Sequence, residues 1–390
     1  MLRLHSLPPL ALYVHLPWCV HKCPYCDFNS HEARDGAPED AYVDALIADL
    51  EAALPSIWGR RIGSIFFGGG TPSLFAARSI DRLLSAFRAR LTLDPDAEIT
   101  LEANPGTFEA GKFRDFRAAG VNRLSIGVQS FNDRHLKALG RIHDVAEARR
   151  AIEIAQTHFE NFNLDVMYAL PEQSLAEAEA DVRTAIAVGA PHLSFYHLTL
   201  EPNTVFYKYP PPIPDDDAAA TIHDMVETQL VGAGYVHYET SAYARPDTSC
   251  RHNLNYWRFG DYLGIGAGAH SKISFADRIV RESRVRAPAD YLRRVGDATH
   301  VAESRALGTA ELPFEFMLNT LRIADGFEVA LFAERTGLPI SAAEKALAAA
   351  EAKGLIARDH LRIAPTERGR RFLNDLQMLF LPEERPSRTA

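Results

Sequence analysis

The 390-residue sequence predicts an α/β protein: an open, partial (β/α)6 barrel followed by a small C-terminal winged-helix-like α+β domain. Six short apolar runs, rich in β-branched and aromatic residues, recur between residues 10 and 202 as buried parallel strands do. Amphipathic stretches separate them, so the hydrophobic period switches from 2 to 3.6 and back. From residue 310 the pattern changes to helical segments with two short β runs.

Taken in order, the strand candidates are LALYVHL (10–16), SIFFGG (64–69), EITLEAN (98–104), RLSIGVQ (123–129), NLDVMYAL (163–170) and HLSFYHLTL (192–200). Helical patterns such as 40–54 and 144–158 lie between them. Six units are too few to close an eight-stranded barrel, hence the open form. A helix at 216–231 leads into 235–244, which alternates like a strand, and then into 248–271, dense in aromatics, glycines and histidines. The stretch 277–294 is locally basic. Helices at 311–322, 327–335 and 341–353, the β runs LIAR and LRIA, and a helix over 366–379 complete the pattern. The expected organisation is a barrel over 1–205, an extension over 206–300, the small domain over 301–380 and a disordered tail over 381–390.

A net charge of −9 argues against a general affinity for nucleic acid or anionic membrane. The small domain's charges balance, so a packing or lid role is expected of it rather than DNA binding. No apolar run approaches the ~18 residues of a membrane span, and the N-terminus lacks a signal-peptide pattern. Four cysteines, three of them clustered, are not a disulfide framework, and the reducing cytoplasm is the expected location.

Each unusual motif falls at or after a strand, where parallel α/β proteins build their sites. Cys19-x3-Cys23-x2-Cys26 follows the first and supplies three thiolates with no fourth. Structural zinc and ordinary iron–sulfur clusters each take four ligands, so the trio points to a cubane with one iron open to a small molecule. A zinc site completed by His15 or His21, or a group of buried thiols, are the alternatives. Gly68-Gly69-Gly70-Thr71-Pro72 follows the second strand, either letting backbone approach a ligand or making a tight turn. Glu102, Gln129 and Asp165 fall in the next three, and a carboxylate in a buried strand needs a reason.

The cysteine trio, with Tyr25 before its last member and the glycine run after the next strand, resembles the radical S-adenosylmethionine (SAM) enzymes. NRLSIGVQSFND (122–133), LGRIHD (139–144), LDVMYALPEQ (164–173) and LSFYHLTLEPNT (193–204) narrow the resemblance to the coproporphyrinogen dehydrogenase (HemN) branch. That resemblance implies a [4Fe-4S] cluster on Cys19, Cys23 and Cys26. It implies SAM contacts from Tyr13, Gly69, Gly70, Thr71, Glu102, Gln129, Arg141 and Asp165. Phe28 stands where the dehydrogenases carry a fourth cysteine, and only 18 residues precede Cys19, so decarboxylation of coproporphyrinogen is not expected.

Cys-x3-Cys-x2-Cys-Asp-Phe is instead similar to the HemW heme chaperones, as is His252-Asn253-Leu254-Asn255-Tyr256-Trp257, an HNxxYW pattern associated there with heme. Histidine and cysteine are heme-iron ligands, and Tyr256 and Trp257 offer flat apolar surface. Cys250 and His270 are further candidates; an aromatic core with a hydrogen-bonded histidine is the plain alternative. Ala169, where a glycine is common, Glu172 and Thr240 depart mildly from the family pattern. The resemblance implies transfer of heme to respiratory heme proteins, some of them at the membrane surface; the local basicity of 277–294, not the resemblance, makes that stretch the expected docking contact. Coproporphyrinogen dehydrogenation, a zinc-binding protein and a radical SAM enzyme acting on RNA are the other readings.

Overall fold

The computed structural model describes residues 2–33, 36–106 and 111–382. Six parallel strands form its centre: β1 (Leu10–Leu16), β2 (Arg61–Gly69), β3 (Thr92–Ala103), β4 (Arg123–Gln129), β5 (Asn161–Tyr168) and β6 (His192–His197). β1 is buried at every position but Tyr13, as its unbroken apolar run requires. Helices return the chain between strands, among them α1 (Glu39–Ile57), α2 (Ala77–Arg90), α3 (Val145–His158) and α4 (Leu175–Val188). Asp144 and Ser174 open α3 and α4 with capping boxes completed by Glu147 and Glu177.

The sheet extends past both edges of this partial barrel. Beyond β6 lies the hairpin of β7 (Val236–Glu239) and β8 (Ala242–Ala244), so 235–244 is two strands rather than one. At the other edge β9 (Asp261–Ile265) pairs parallel to β1. Three antiparallel strands follow it: β10 (His270–Ser274), β11 (Ile279–Arg284) and β12 (Val301–Ala306). The strand order is β12-β11-β10-β9-β1-β2-β3-β4-β5-β6-β8-β7. A short helix, α5 (Arg251–Trp257), carries the HNxxYW residues and enters β9 through a turn at Phe259 and Gly260.

The C-terminal helices Leu312–Thr320, Val329–Thr336 and Glu344–Ala352 pack with a three-stranded sheet of Phe327–Glu328, Arg362–Pro365 and Ile356–Arg358. The expected last helix is two, Glu367–Arg371 and Leu373–Met378. Their shared core also takes in Leu4, Phe259, Ile279 and Leu307, so the small domain is anchored to the extension by apolar contact. Of the tail expected over 381–390, residues 383–390 lie outside the described residues.

The locally basic stretch 277–294 is β11 and a helix at Pro288–Arg294, and much of its charge is paired internally. Arg278 meets Asp277, Arg281 meets Glu315 and Arg293 meets Asp290. Arg284 is buried against Asp49 of α1, at 3.0 Å from Nε. Asp49 also accepts from Tyr291 Oη (2.8 Å) and the Gly266 amide (3.1 Å), and lies 2.8 Å from His300 Nε2. This one carboxylate therefore fastens α1 to the sheet extension. Burial alone would push its pKa up; the bond to His300 and the charge of Arg284 outweigh that and hold it below the usual value. Asp49→Asn leaves Arg284 buried with Glu282 (3.1 Å) as its one remaining carboxylate partner and is expected to cost about 3 kcal/mol in denaturant unfolding, the low end for breaking a buried pair. Because the folded pKa is depressed, the carboxylate's contribution is present above the unfolded value and is lost as pH falls through the folded one. The stability gap between wild type and variant should therefore close below about pH 4.

Candidate functional site

The carboxyl ends of the strands open into a cavity of about 700 Å³, within the roughly 300–1,000 Å³ of ligand pockets. Cys19, Cys23 and Cys26 line one end of it as free, half-buried thiols. Their loop is held by a Cys26 amide bond to the Cys23 carbonyl (3.1 Å) and by Lys22 Nζ donating to the carbonyls of Phe28 (3.0 Å) and Ser30 (3.2 Å). Arg141 Nη1 stands 3.6 Å from Cys23 Sγ, a positive charge beside the sulfur. Burial raises the pKa values of Cys19 and Cys26, so thiolates there need a cation to hold them.

Of the two histidines of the zinc alternative, His15 has both ring nitrogens engaged and His21 has one. His15 lies 3.0 Å from Tyr13 Oη through Nδ1 and 2.9 Å from the Asn29 carbonyl through Nε2. His21 Nδ1 faces Glu32 at 3.2 Å. Among the described residues no three His, Cys, Asp or Glu side chains gather to hold a single ion. Thiolates that bind separate irons of a cubane do not need to converge on one point, and the trio on one cavity wall fits that group.

The glycine run sits where it does because the chain passes too closely for side chains. Gly69 has φ +118°, and a Cβ there would lie 2.6 Å from the His15 ring; one on Gly70 would lie 2.5 Å from the Trp18 carbonyl oxygen. The close approach is to the protein's own cysteine loop. The Gly69 amide donates to Glu102 Oε2 (3.1 Å), that of Gly70 to the Leu16 carbonyl and that of Thr71 to the Trp18 carbonyl, both 2.8 Å. The amides of Gly69, Gly70 and Thr71 are thus used internally.

Gln129, a non-glycine residue at φ +67° beside a register shift in β4, lines the cavity. Arg141 also lines it; Nη2 donates to Asn104 Oδ1 (2.7 Å) and the Gly127 carbonyl (3.0 Å), while buried Nε has no partner. Tyr13, Glu102 and Asp165 form further wall. Burial, then the nearby Asp165, raises Glu102 to about pH 8. Asp165 accepts from Ser125 Oγ (2.9 Å) and Asn163 Nδ2 (2.8 Å), yet burial still raises its pKa.

Sequence reasoning missed Arg123. It lines the cavity at 2% exposure with its Nε unpartnered; burial opposes its charge, and the nearby Cys250, Glu98, Tyr238 and Asp165 outweigh that and raise its pKa. An arginine opening an apolar strand was the available signal. Arg123, Arg141 and Trp257 each line the cavity and each keep one buried donor without a partner.

His252, Asn253, Tyr256 and Trp257 also line the cavity. His252 is 1% exposed, 2.9 Å from Ser64 Oγ through Nδ1 and 3.3 Å from Tyr256 Oη through Nε2, and stacked on Phe66. Burial, then Arg123, lowers it to about 3, so it is neutral. Trp257 lies under the Arg322 guanidinium. Cys250 is not part of the lining: it is fully buried, Sγ donates to Glu98 Oε1 at 3.5 Å, and burial raises it to about 12.

A model described as the Radical SAM superfamily matches residues 13–185, and one for the HemN C-terminal domain matches 309–372. The fold and the three-cysteine loop define a radical SAM protein. Two relatives named "Heme chaperone HemW" narrow this. That of Escherichia coli K12 is 49% identical over 382 residues, covering 97% of this chain and 100% of its own. That of Haemophilus influenzae is 47% identical over 385 residues, with the same coverage. The chain belongs to the HemW family. The solved coproporphyrinogen III oxidase (HemN) of E. coli matches with a TM-score of 0.81 over 96% of this chain and 90% of its own, at 24% identity, and so shares the fold.

Because the folded pKa of Glu102 is raised, its neutral form is favoured in the fold, and stability falls as pH rises from its unfolded value through about 8. Glu102→Gln keeps an acceptor for the Gly69 amide without a charge. Between about pH 5 and 8 the melting temperature of the wild type is expected to decline more steeply than that of the variant; parallel declines would show that the carboxyl is not the titrating group.

Proposed function

We propose that this chain is a heme chaperone that receives heme and passes it to acceptor heme proteins, using a [4Fe-4S] cluster and SAM. The observation that carries the reading is identity of 49% and 47% to two chaperones over almost the entire chain. Cys19, Cys23 and Cys26 would hold the cluster. When bound, the cluster leaves one iron open to a small molecule. Arg141 supplies positive charge beside Cys23. Glu102 and Asp165, two buried carboxyls at one wall, suit the hydroxyls and positive charge of SAM, and a cation there would draw the proton off Glu102. Tyr13 and Gln129 complete the wall, while Gly69, Gly70 and Thr71 position it through their backbone bonds.

Acceptors at a membrane surface remain part of the proposal; among the described residues no helix is long and apolar enough to cross a membrane. The HemN-like fold keeps coproporphyrinogen III dehydrogenation as the rival. After anaerobic purification and cluster reconstitution, heme titration followed in the Soret band should give tight, stoichiometric binding with no decarboxylation of coproporphyrinogen in the same sample. Turnover with SAM cleavage would replace the chaperone reading with an enzymatic one. Cys23→Ala should lose the brown cluster absorbance and its iron while keeping the wild-type circular dichroism; iron at full occupancy would remove Cys23 from the ligand set.

A further inference from the structure

A second cavity, of about 640 Å³, adjoins the first on the side of the sheet extension. Tyr13, Phe28, Glu102 and Tyr256 line both cavities, and the second is completed chiefly by residues of β9, β10, β11 and the Asn29 turn. Of the cluster and SAM residues proposed above, only Tyr13 and Glu102 of the shared wall and Gly69 reach it. Three features set it apart. His270, at the start of β10, is exposed, and neither of its ring nitrogens has a partner among the described residues. Phe28, 58% exposed, lines both cavities, and the half-buried Tyr262 lines the second with it. Arg286 is exposed and its guanidinium pairs with no carboxylate among the described residues, although its neighbours Arg281 and Arg284 both do.

Heme chemistry asks for those groups together: a neutral imidazole for iron, flat apolar surface for the macrocycle and a cation for the propionates. Arg281 and Arg286 lower the His270 pKa further after burial, which keeps its ring neutral. The backbone fixes the arrangement, since Asn29 Nδ2 donates to the carbonyls of Ala267 and Arg286, each at 2.9 Å. That clasp ties the end of the cysteine loop to both sides of His270. His252 lacks the corresponding freedom, being 1% exposed with both nitrogens engaged. A chaperone must also surrender its cargo, and an acceptor can reach a ligand at an exposed position but not one sealed beneath Phe66 and Tyr256.

We propose that the cargo heme binds in this second cavity with His270 as its iron ligand, Phe28 and Tyr262 against the porphyrin and Arg286 pairing a propionate. This rests on the chaperone reading. The test titrates hemin into the full-length wild type and into His270→Ala, His252→Asn and Arg286→Gln, with Soret position and electron paramagnetic resonance as readouts and circular dichroism as the folding control. His270→Ala is expected to bind at least about tenfold more weakly, as loss of a metal-site group does, with a changed spin state that added imidazole restores. Arg286→Gln should weaken binding without moving the Soret band, and folded His252→Asn should keep the wild-type spectrum. A wild-type spectrum in His270→Ala, or its loss in folded His252→Asn alone, overturns the assignment. Failure of the wild type to bind hemin overturns the chaperone reading itself.

Discussion

The site depends first on the clasp between the glycine run and the cysteine loop. Gly70 and Thr71 pair by backbone with Leu16 and Trp18, on either side of Pro17 at the start of that loop. Glycine is required at 69 and 70 because the His15 ring and the Trp18 carbonyl occupy the space a Cβ would take. These bonds set where Cys19 leaves the sheet, and Lys22 then closes the loop around the other two thiols. Side-chain chemistry at the cavity therefore rests on backbone geometry two strands wide. Such bonds are modest singly but cooperative in a buried setting.

A second network holds the half of the protein that the βα repeat does not build. Asp49 draws Arg284, Tyr291, His300 and the Gly266 amide onto α1. Asp261, at the start of β9, takes Lys272 at 2.8 Å and Arg60 at 2.8 Å. Burying two such carboxylates would be costly unless each were fully partnered, as both are. Together they lock the extension to the barrel, and β9 is what brings the HNxxYW helix against Ser64 and Phe66.

The six central strands were legible because a strand buried on both faces has to be apolar throughout. The strands of the extension were not: β10, β11 and β12 are short and carry lysine, arginine, glutamate and serine. Their charges are satisfied by partners distant in sequence, such as Asp49 for Arg284, which no local pattern shows. The same reason makes 277–294 look like a basic surface. Ala169 and Glu172, set apart in the sequence as departures from the family pattern, both have positive φ, at 55° and 54°. That explains a preference for glycine at 169, since alanine there bears the strain of the left-handed region. The cysteines and the cavity carboxyls were legible as residue types. The internal use of the glycine amides was not, because it depends on which segment approaches the turn.

Two adjoining cavities with one shared wall impose a condition on any communication between them. Coupling between sites needs a physical element that both ligands bias. Here the lining residues common to both are Tyr13, Phe28, Glu102 and Tyr256. Glu102 is the one among them whose charge is poised to change, since burial and Asp165 raise it to about 8. A cation in the first cavity lowers that value, and the resulting carboxylate then faces the second. A carboxylate repels an anionic group near it and strengthens the acceptor for the Gly69 amide. The charge state of one buried side chain thus enters both the position of the glycine run and the electrostatics of the neighbouring cavity. A neutral amide at that position would still accept from the Gly69 amide but would present no charge to the neighbouring cavity.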